Sequence, residues 1–221
     1  MTDNAFLDKG LVLGFCFPVD LHHRKCRTYL GDESKEFYLT DHVDAIYEAK
    51  RREKIKEHRN AILKHVRYVD RNYDSEMGPM DLRDVRRRLD GRANDACHYL
   101  RDYYEGKQFA NPRDVVADLR EVARGMQSHV SERKDEFDDL VESWTREVDY
   151  PDLKGALGRI REDKEEDYWV CVDAHDLGER TAGETELATT DIDDLANEER
   201  RELIVGKTSV DSVAAVAVTD G

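Results

Sequence analysis

No apolar run in this sequence approaches the roughly 18 residues of a membrane span, and no charged-then-apolar signal segment opens it, so a cytoplasmic protein without a membrane partner is expected. Cysteine is sparse. Cys16, Cys26, Cys97 and Cys171 are scattered and form no CxxC pair, which argues against both a disulfide framework and a structural zinc module. His22, His23 and Cys26 share the stretch "DLHHRKC", but a zinc site takes about four ligands and no second cluster supplies the rest. Internal repeats and low-complexity segments are lacking. Positive charge is in deficit: 35 Lys and Arg face 50 Asp and Glu, a formal net charge of -15. Such a balance opposes non-specific binding to nucleic acid at low salt. It is also the composition of halophilic proteins, whose self-repulsion is screened by concentrated salt, so it speaks of habitat before partner.

The 221 residues suffice for a real core and are expected to form one domain with a substantial insertion. "AFLDKGLVLGFCF" predicts a buried strand turning into a helix near Gly14, and "EFYLTD" at 36–41 a second, short strand. From Val43 to about Glu166 the pattern is helical almost throughout, with Ile46, Ala49, Ile55, Ile62, Leu63, Val66 and Val69 on one apolar stripe. "SEMGPMD" breaks that helix, and a second one runs to about Tyr104. "NPRD" at 111–114 offers Asn111 as N-cap and Pro112 at the first helical position of a third, reaching about Val148 with a break near Gly125. A shorter helical stretch follows Pro151, and "DAHDLGER" reads as a short helix. "TELATTD" predicts a strand, and "LANEERRELIVGKTSVDSVAAVAV" a helix followed by a last strand or short apolar helix. Strand signals therefore gather at the two chain ends around a helical block, which predicts an α/β sheet assembled from both ends.

The stretch "ELATTDIDDL", residues 186–195, admits two readings. Thr190 can cap a helix with Asp193 at the capping-box position, or a strand can end here by aiming a carboxylate at a metal. The second needs partner acids. At the carboxyl ends of parallel strands, acids distant in sequence converge on one crevice. Asp8 in the first strand, Asp173 and Asp176 before the late strand and Asp191 after it are the candidates, while Asp44 and Glu48, four apart, share one helix face. Crowded carboxylates favour Mg²⁺ or Mn²⁺, which neutralise them.

These residues resemble the PIN-domain nucleases. "FLDKGLVLG" is similar to that family's opening strand, an apolar pair followed by Asp, Thr, Asn and further apolar residues, with Lys9 and Gly10 in place of Thr and Asn. "VDAHDLGER" resembles the family helix that begins with an acid, and "LATTDIDDL" its apolar-Thr-x-Asp-x-Asp-Phe strand end, with Leu195 where an aromatic is frequent. The matching ends cover about half of the chain. The resemblance implies a PIN-like α/β fold over residues 1–221, a central parallel sheet flanked by helices, with a large helical insertion at about 50–165. It implies metal-binding roles for Asp8, for Asp173 or Asp176, and for Asp191, with Asp194 as an outer ligand and Glu48 or Asp44 as the helical acid.

The activity so implied is metal-dependent hydrolysis of RNA, one or two Mg²⁺ or Mn²⁺ ions activating water at a phosphodiester. RNA is the expected partner, with an inhibitory protein and a second copy of the chain as further ones. "AKRREKIKEHRNAILKHVR" at 49–67 carries eight Lys or Arg against two Glu, a basic surface on an acidic protein or a solvated helix face with i,i+4 ion pairs. The alternative is a catalytically degenerate domain of the same fold that binds nucleic acid or protein, which Lys9 and Gly10 favour. A phosphatase of the haloacid-dehalogenase type requires a second Asp at position 10, where this chain has Gly.

Overall fold

Asp8 divides what the sequence presents as one apolar run. Its backbone is extended and its carboxylate accepts the Lys9 amide, so strand β1 (Asp3–Leu7) ends one residue before it and helix α1 (Lys9–Cys16) starts one residue after it. The strand expected to continue towards Gly14 is thus replaced by a capped helix at Lys9. A computed structural model of the chain describes residues 3–90 and 95–218. Helix α2 (His23–Leu30) leads to β2 (Lys35–Thr40), and α3 (Asp41–Asn72), α4 (Pro79–Asp90), α5 (Asp95–Tyr104) and α6 (Pro112–Leu140) follow. Then come β3 (Val141–Trp144), α7 (Pro151–Ala156), α8 (Gly158–Asp163), α9 (Glu165–Arg180), β4 (Thr185–Thr189), α10 (Glu198–Lys207) and β5 (Ser212–Ala215).

The five strands form one parallel sheet in the order β3-β2-β1-β4-β5, so the α/β class with a central parallel sheet flanked by helices is what the chain adopts. β1 is central, with Ala5 opposite Phe37 on one side and Glu186 on the other. A parallel strand covered on both faces reads as a near-continuous apolar run, and Ala5, Phe6 and Leu7 are fully buried. α1, α3 and α6 pack on one another, with α3 against β2 and α6 against β3, while α9 packs on β1 and β4 and α10 on β5. One continuous set of buried apolar side chains runs from Ala5 to Val216.

Within the middle block, Asn111 caps α6 through Arg113 N at 3.0 Å as its sequence predicts, and the helix passes Gly125 without a break. It stops at Leu140, short of Val148, because "VESW" turns extended and pairs with β2 as strand β3. The residues between α4 and α5 lie outside those described. At 32 residues α3 spans about 48 Å, far beyond the sheet, and its outer half carries α5. The four cysteines are buried, and burial pushes the Cys16 and Cys26 thiols up to about 12. No helix among the described residues is long and apolar enough to cross a membrane.

Candidate metal centre

After β1 the chain builds β2 and β3 on one side, then returns to build β4 and β5 on the other, so the order reverses between β1 and β4. A crevice opens at the carboxyl ends of two such strands. Asp8, immediately after β1, forms its floor at 2 % exposure. One of its carboxylate oxygens accepts Lys9 N at 2.7 Å and the other the Thr189 hydroxyl at 3.0 Å. Thr189 Oγ1 in turn accepts Asp191 N at 3.0 Å. A hydrogen-bonded chain therefore runs from the buried Asp8 through the end of β4 to Asp191.

Asp191 Oδ1 accepts Asp194 N at 2.9 Å and its carbonyl accepts Ala196 N at 3.0 Å, which winds 191–196 into a turn with both carboxylates at the crevice. The helix expected to begin at Thr190 begins instead at Glu198, with Asn197 as its cap through Arg200 N at 2.9 Å. Neither Thr190 nor Asp193 caps it, because the Asp191 side chain already holds the turn amide.

The third acid comes from α9. The first turn of α9 brings Asp167 over β1 and β4, and carboxylate oxygens of Asp167, Asp191 and Asp194 lie within 4.8 Å of one another. Asp167 is buried; the other two are half-buried. Two ammonium groups balance them. Lys9 Nζ lies 3.0 Å from Asp167 Oδ1 and 3.2 Å from Glu166 Oε2. Lys164 Nζ lies 3.4 Å from Asp191 Oδ2 and also pairs with Asp194. Lys50 of α3, from the basic run, reaches Glu166 at 3.5 Å.

Burial raises the Asp8 carboxyl above the ordinary carboxylate range, against the pull of Lys9 and with the Asp167 charge adding to it. Burial opposes the Lys9 charge too, but Asp8 and Asp167 outweigh it and lift the ammonium above its usual range. The hydrogen bond from Lys164 lowers Asp194, and Asp194 raises Lys164. Five carboxyl groups and three ammonium groups thus meet at the crevice, an acidic excess that a divalent cation would offset.

Gly10 is part of this packing. A β-carbon there would collide with the Thr190 hydroxyl and lie 3.4 Å from Asp8 Oδ2. Gly10→Ala is expected to cost about 1–3 kcal/mol by overpacking, read from urea midpoints, and Thr190→Ala in the same chain should restore most of it. An unchanged midpoint in the single variant would show that Thr190 moves freely.

The other acids singled out in the sequence lie elsewhere. Asp173 is buried between Arg146 Nε at 2.9 Å and the Thr40 hydroxyl at 3.2 Å; burial raises its carboxyl, opposed by Arg146. Asp176 is fully buried and accepts Tyr150 OH at 2.9 Å, Trp144 Nε1 at 3.0 Å and Arg180 Nη1 at 3.0 Å. Asp44 faces α6 and pairs with Lys134 at 3.0 Å, and exposed Glu48 pairs with Arg51 of its own helix at 3.2 Å. The structure therefore brings together Asp191 and Asp194 over Asp8, and adds Asp167, which the sequence reading passed over. His22 and His23 serve backbone groups, accepting Val218 N at 3.1 Å and meeting Gly14 O at 2.9 Å. No family model matches the chain, and no curated protein or solved structure matches it either.

Proposed function

We propose that the chain is a metal-dependent nuclease of PIN type that hydrolyses RNA phosphodiesters, and the observation that carries this reading is the convergence of Asp167, Asp191 and Asp194 within 4.8 Å over buried Asp8 at the sheet's switch point. The donor set fits a hard divalent ion, because it offers carboxylate oxygens only and three anions in one crevice. Asp167, Asp191 and Asp194 would hold Mg²⁺ or Mn²⁺, and the ion when bound supplies Lewis acidity and an activated water. Asp8 acts as a positioning residue: it fixes Thr189, which fixes the amide of Asp191. Lys9 and Lys164 keep the acid group folded without metal and stand ready to meet the phosphate anion. Further cations for the backbone come from α3, where Arg52, Lys56, Arg59, Lys64 and Arg67 are exposed.

A second reading has one observation in its favour. The two ammonium groups already sit on the acid group, as permanent counter-ions would, which suits a catalytically degenerate module that binds nucleic acid or protein. Cleavage of single-stranded RNA with Mn²⁺ or with EDTA, by wild type and by Lys164→Gln, separates the two. The nuclease reading expects Mn²⁺-dependent products, and in Lys164→Gln a lower Mn²⁺ requirement, since the ammonium competes for Asp191 and Asp194. No cleavage by either chain, with RNA still bound, leaves the binding module.

A further inference from the structure

Both tryptophans of the chain, Trp144 and Trp169, line one open cavity of about 330 Å³ at the carboxyl ends of β2 and β3, along the same sheet edge as the acid group. Its wall is built rather than incidental. The Trp144 indole is pinned by its bond to fully buried Asp176 and packs edge-on against Tyr38, with ring centroids 5.8 Å apart. The Arg146 guanidinium lies 4.9 Å from the centre of the Trp169 ring and is held there by buried Asp173, which Thr40 holds in turn. Nε of Arg146 lies in ion-pair range of Asp173, and among the described residues its terminal nitrogens reach Asp149 at 3.7 Å, so most of the guanidinium's donors are left for a guest. His42 is exposed at the rim.

An aromatic ring, a guanidinium plane and unspent N–H donors around a cavity of this size are the elements by which proteins hold unstacked bases of single strands. Asp167 and Trp169, two apart on α9, leave the helix on different faces, but β2, whose end lines the cavity, lies beside β1, whose end carries Asp8, so the cavity is one strand along the same edge from the carboxylates. We propose that this cavity is a nucleobase pocket for single-stranded RNA, with Trp169 and Arg146 as its stacking surfaces and Arg146 as donor to base-edge acceptors. The proposal rests on the nuclease reading for the polymer it names: the base belongs to a nucleotide beside the one whose phosphate faces Asp167, Asp191 and Asp194. A duplex cannot offer such a base, so the substrate is a single-stranded or looped segment.

Because the chain has two tryptophans and both line the cavity, its intrinsic fluorescence reports occupancy directly. The full chain in EDTA is titrated with a single-stranded oligoribonucleotide, with GMP and with ribose 5-phosphate. Saturable quenching by the first two and none by the sugar phosphate is expected. With a labelled oligoribonucleotide followed by anisotropy, Trp169→Leu and Arg146→Gln should each weaken binding by about 10-fold or more, Trp169→Phe should recover most of it, and Asp193→Asn, at an exposed position outside the three-acid group, should bind as wild type. Circular dichroism checks that each variant is folded. Equal quenching by ribose 5-phosphate, no quenching by any probe, or unchanged affinity in folded Trp169→Leu overturns the pocket. Base-dependent quenching without Mn²⁺-dependent cleavage keeps the pocket and removes the nuclease; cleavage without base-dependent quenching does the reverse.

Discussion

Asp191→Asn is expected to abolish Mn²⁺- or Mg²⁺-dependent cleavage of single-stranded RNA, a loss of at least about 100-fold, the upper value for removing even an outer partner of a metal ligand. The amide keeps the oxygen that accepts Asp194 N at 2.9 Å, so the turn after β4 survives and only the anionic ligand is lost. Without metal the variant should therefore melt within about 2 °C of wild type, and the upward shift that Mn²⁺ gives the wild type should shrink or vanish. Asp193→Asn is the control, since its side chain is exposed and outside the three-acid group. Destabilisation of Asp191→Asn in EDTA, with an unchanged shift on adding Mn²⁺, would mean that the residue only shapes the turn.

A larger effect on the metal-free protein is expected from Asp8→Asn, which should raise its melting temperature at pH 7 by at least about 2 °C. Burial holds the Asp8 carboxyl above its ordinary value of 3.8, so the native state takes up its proton more readily than the unfolded chain does. The stability belonging to the protonated form is complete below pH 3.8 and is lost as pH rises through the raised native value. Ionisation of this buried carboxyl is a net cost that Lys9 only partly offsets, and a neutral amide removes it. Melts in EDTA between pH 4 and pH 8 should show the gain of the variant growing with pH and closing towards pH 4. A wild type more stable than the variant by a constant margin would show that the bonds to Lys9 N and Thr189 outweigh burial. Cleavage by the variant should still fall by about 10–100-fold, because Asp8 anchors Thr189 and through it Asp191.

Legibility in the sequence followed the strength of local signals. Apolar runs bounded by polar caps marked β1, β2 and β4, and "NPRD" marked the start of α6, because strand burial and helix capping act over a few residues. β3 stayed hidden in the helical block: "VESW" has no alternation distinct from α6 before it, and only pairing with β2 makes it a strand. Of the candidate site, the ends of β1 and β4, which carry Asp8 and Asp191, were legible. It was not legible at α9. Read as a short helix at "DAHDLGER", this segment offered Asp173 and Asp176 as its leading acids. The helix in fact starts at Glu165, so its first-turn acid at the crevice is Asp167, while Asp173 and Asp176 lie two turns further along in ion pairs with Arg146 and Arg180. The early-acid signature of a helix N-terminus in "KEEDYW" was the available clue. Lys9, next to Asp8, was legible as a cation beside the acids, whereas Lys164 had no sequence signal as their partner, since its pairing depends on the start of α9 and the turn after β4 meeting in space.

The most direct test of the metal centre is the binding of Mn²⁺ to the full chain, followed by the loss of the free-ion electron paramagnetic resonance signal, in wild type and in Asp167→Asn. Asp167 is the acid that only the fold brings to Asp191 and Asp194. Saturable binding of one or two ions per chain by the wild type, competed by Mg²⁺ and weakened at least about 100-fold in the variant, is the predicted result. Binding that never saturates, or that is unchanged in Asp167→Asn, would contradict it.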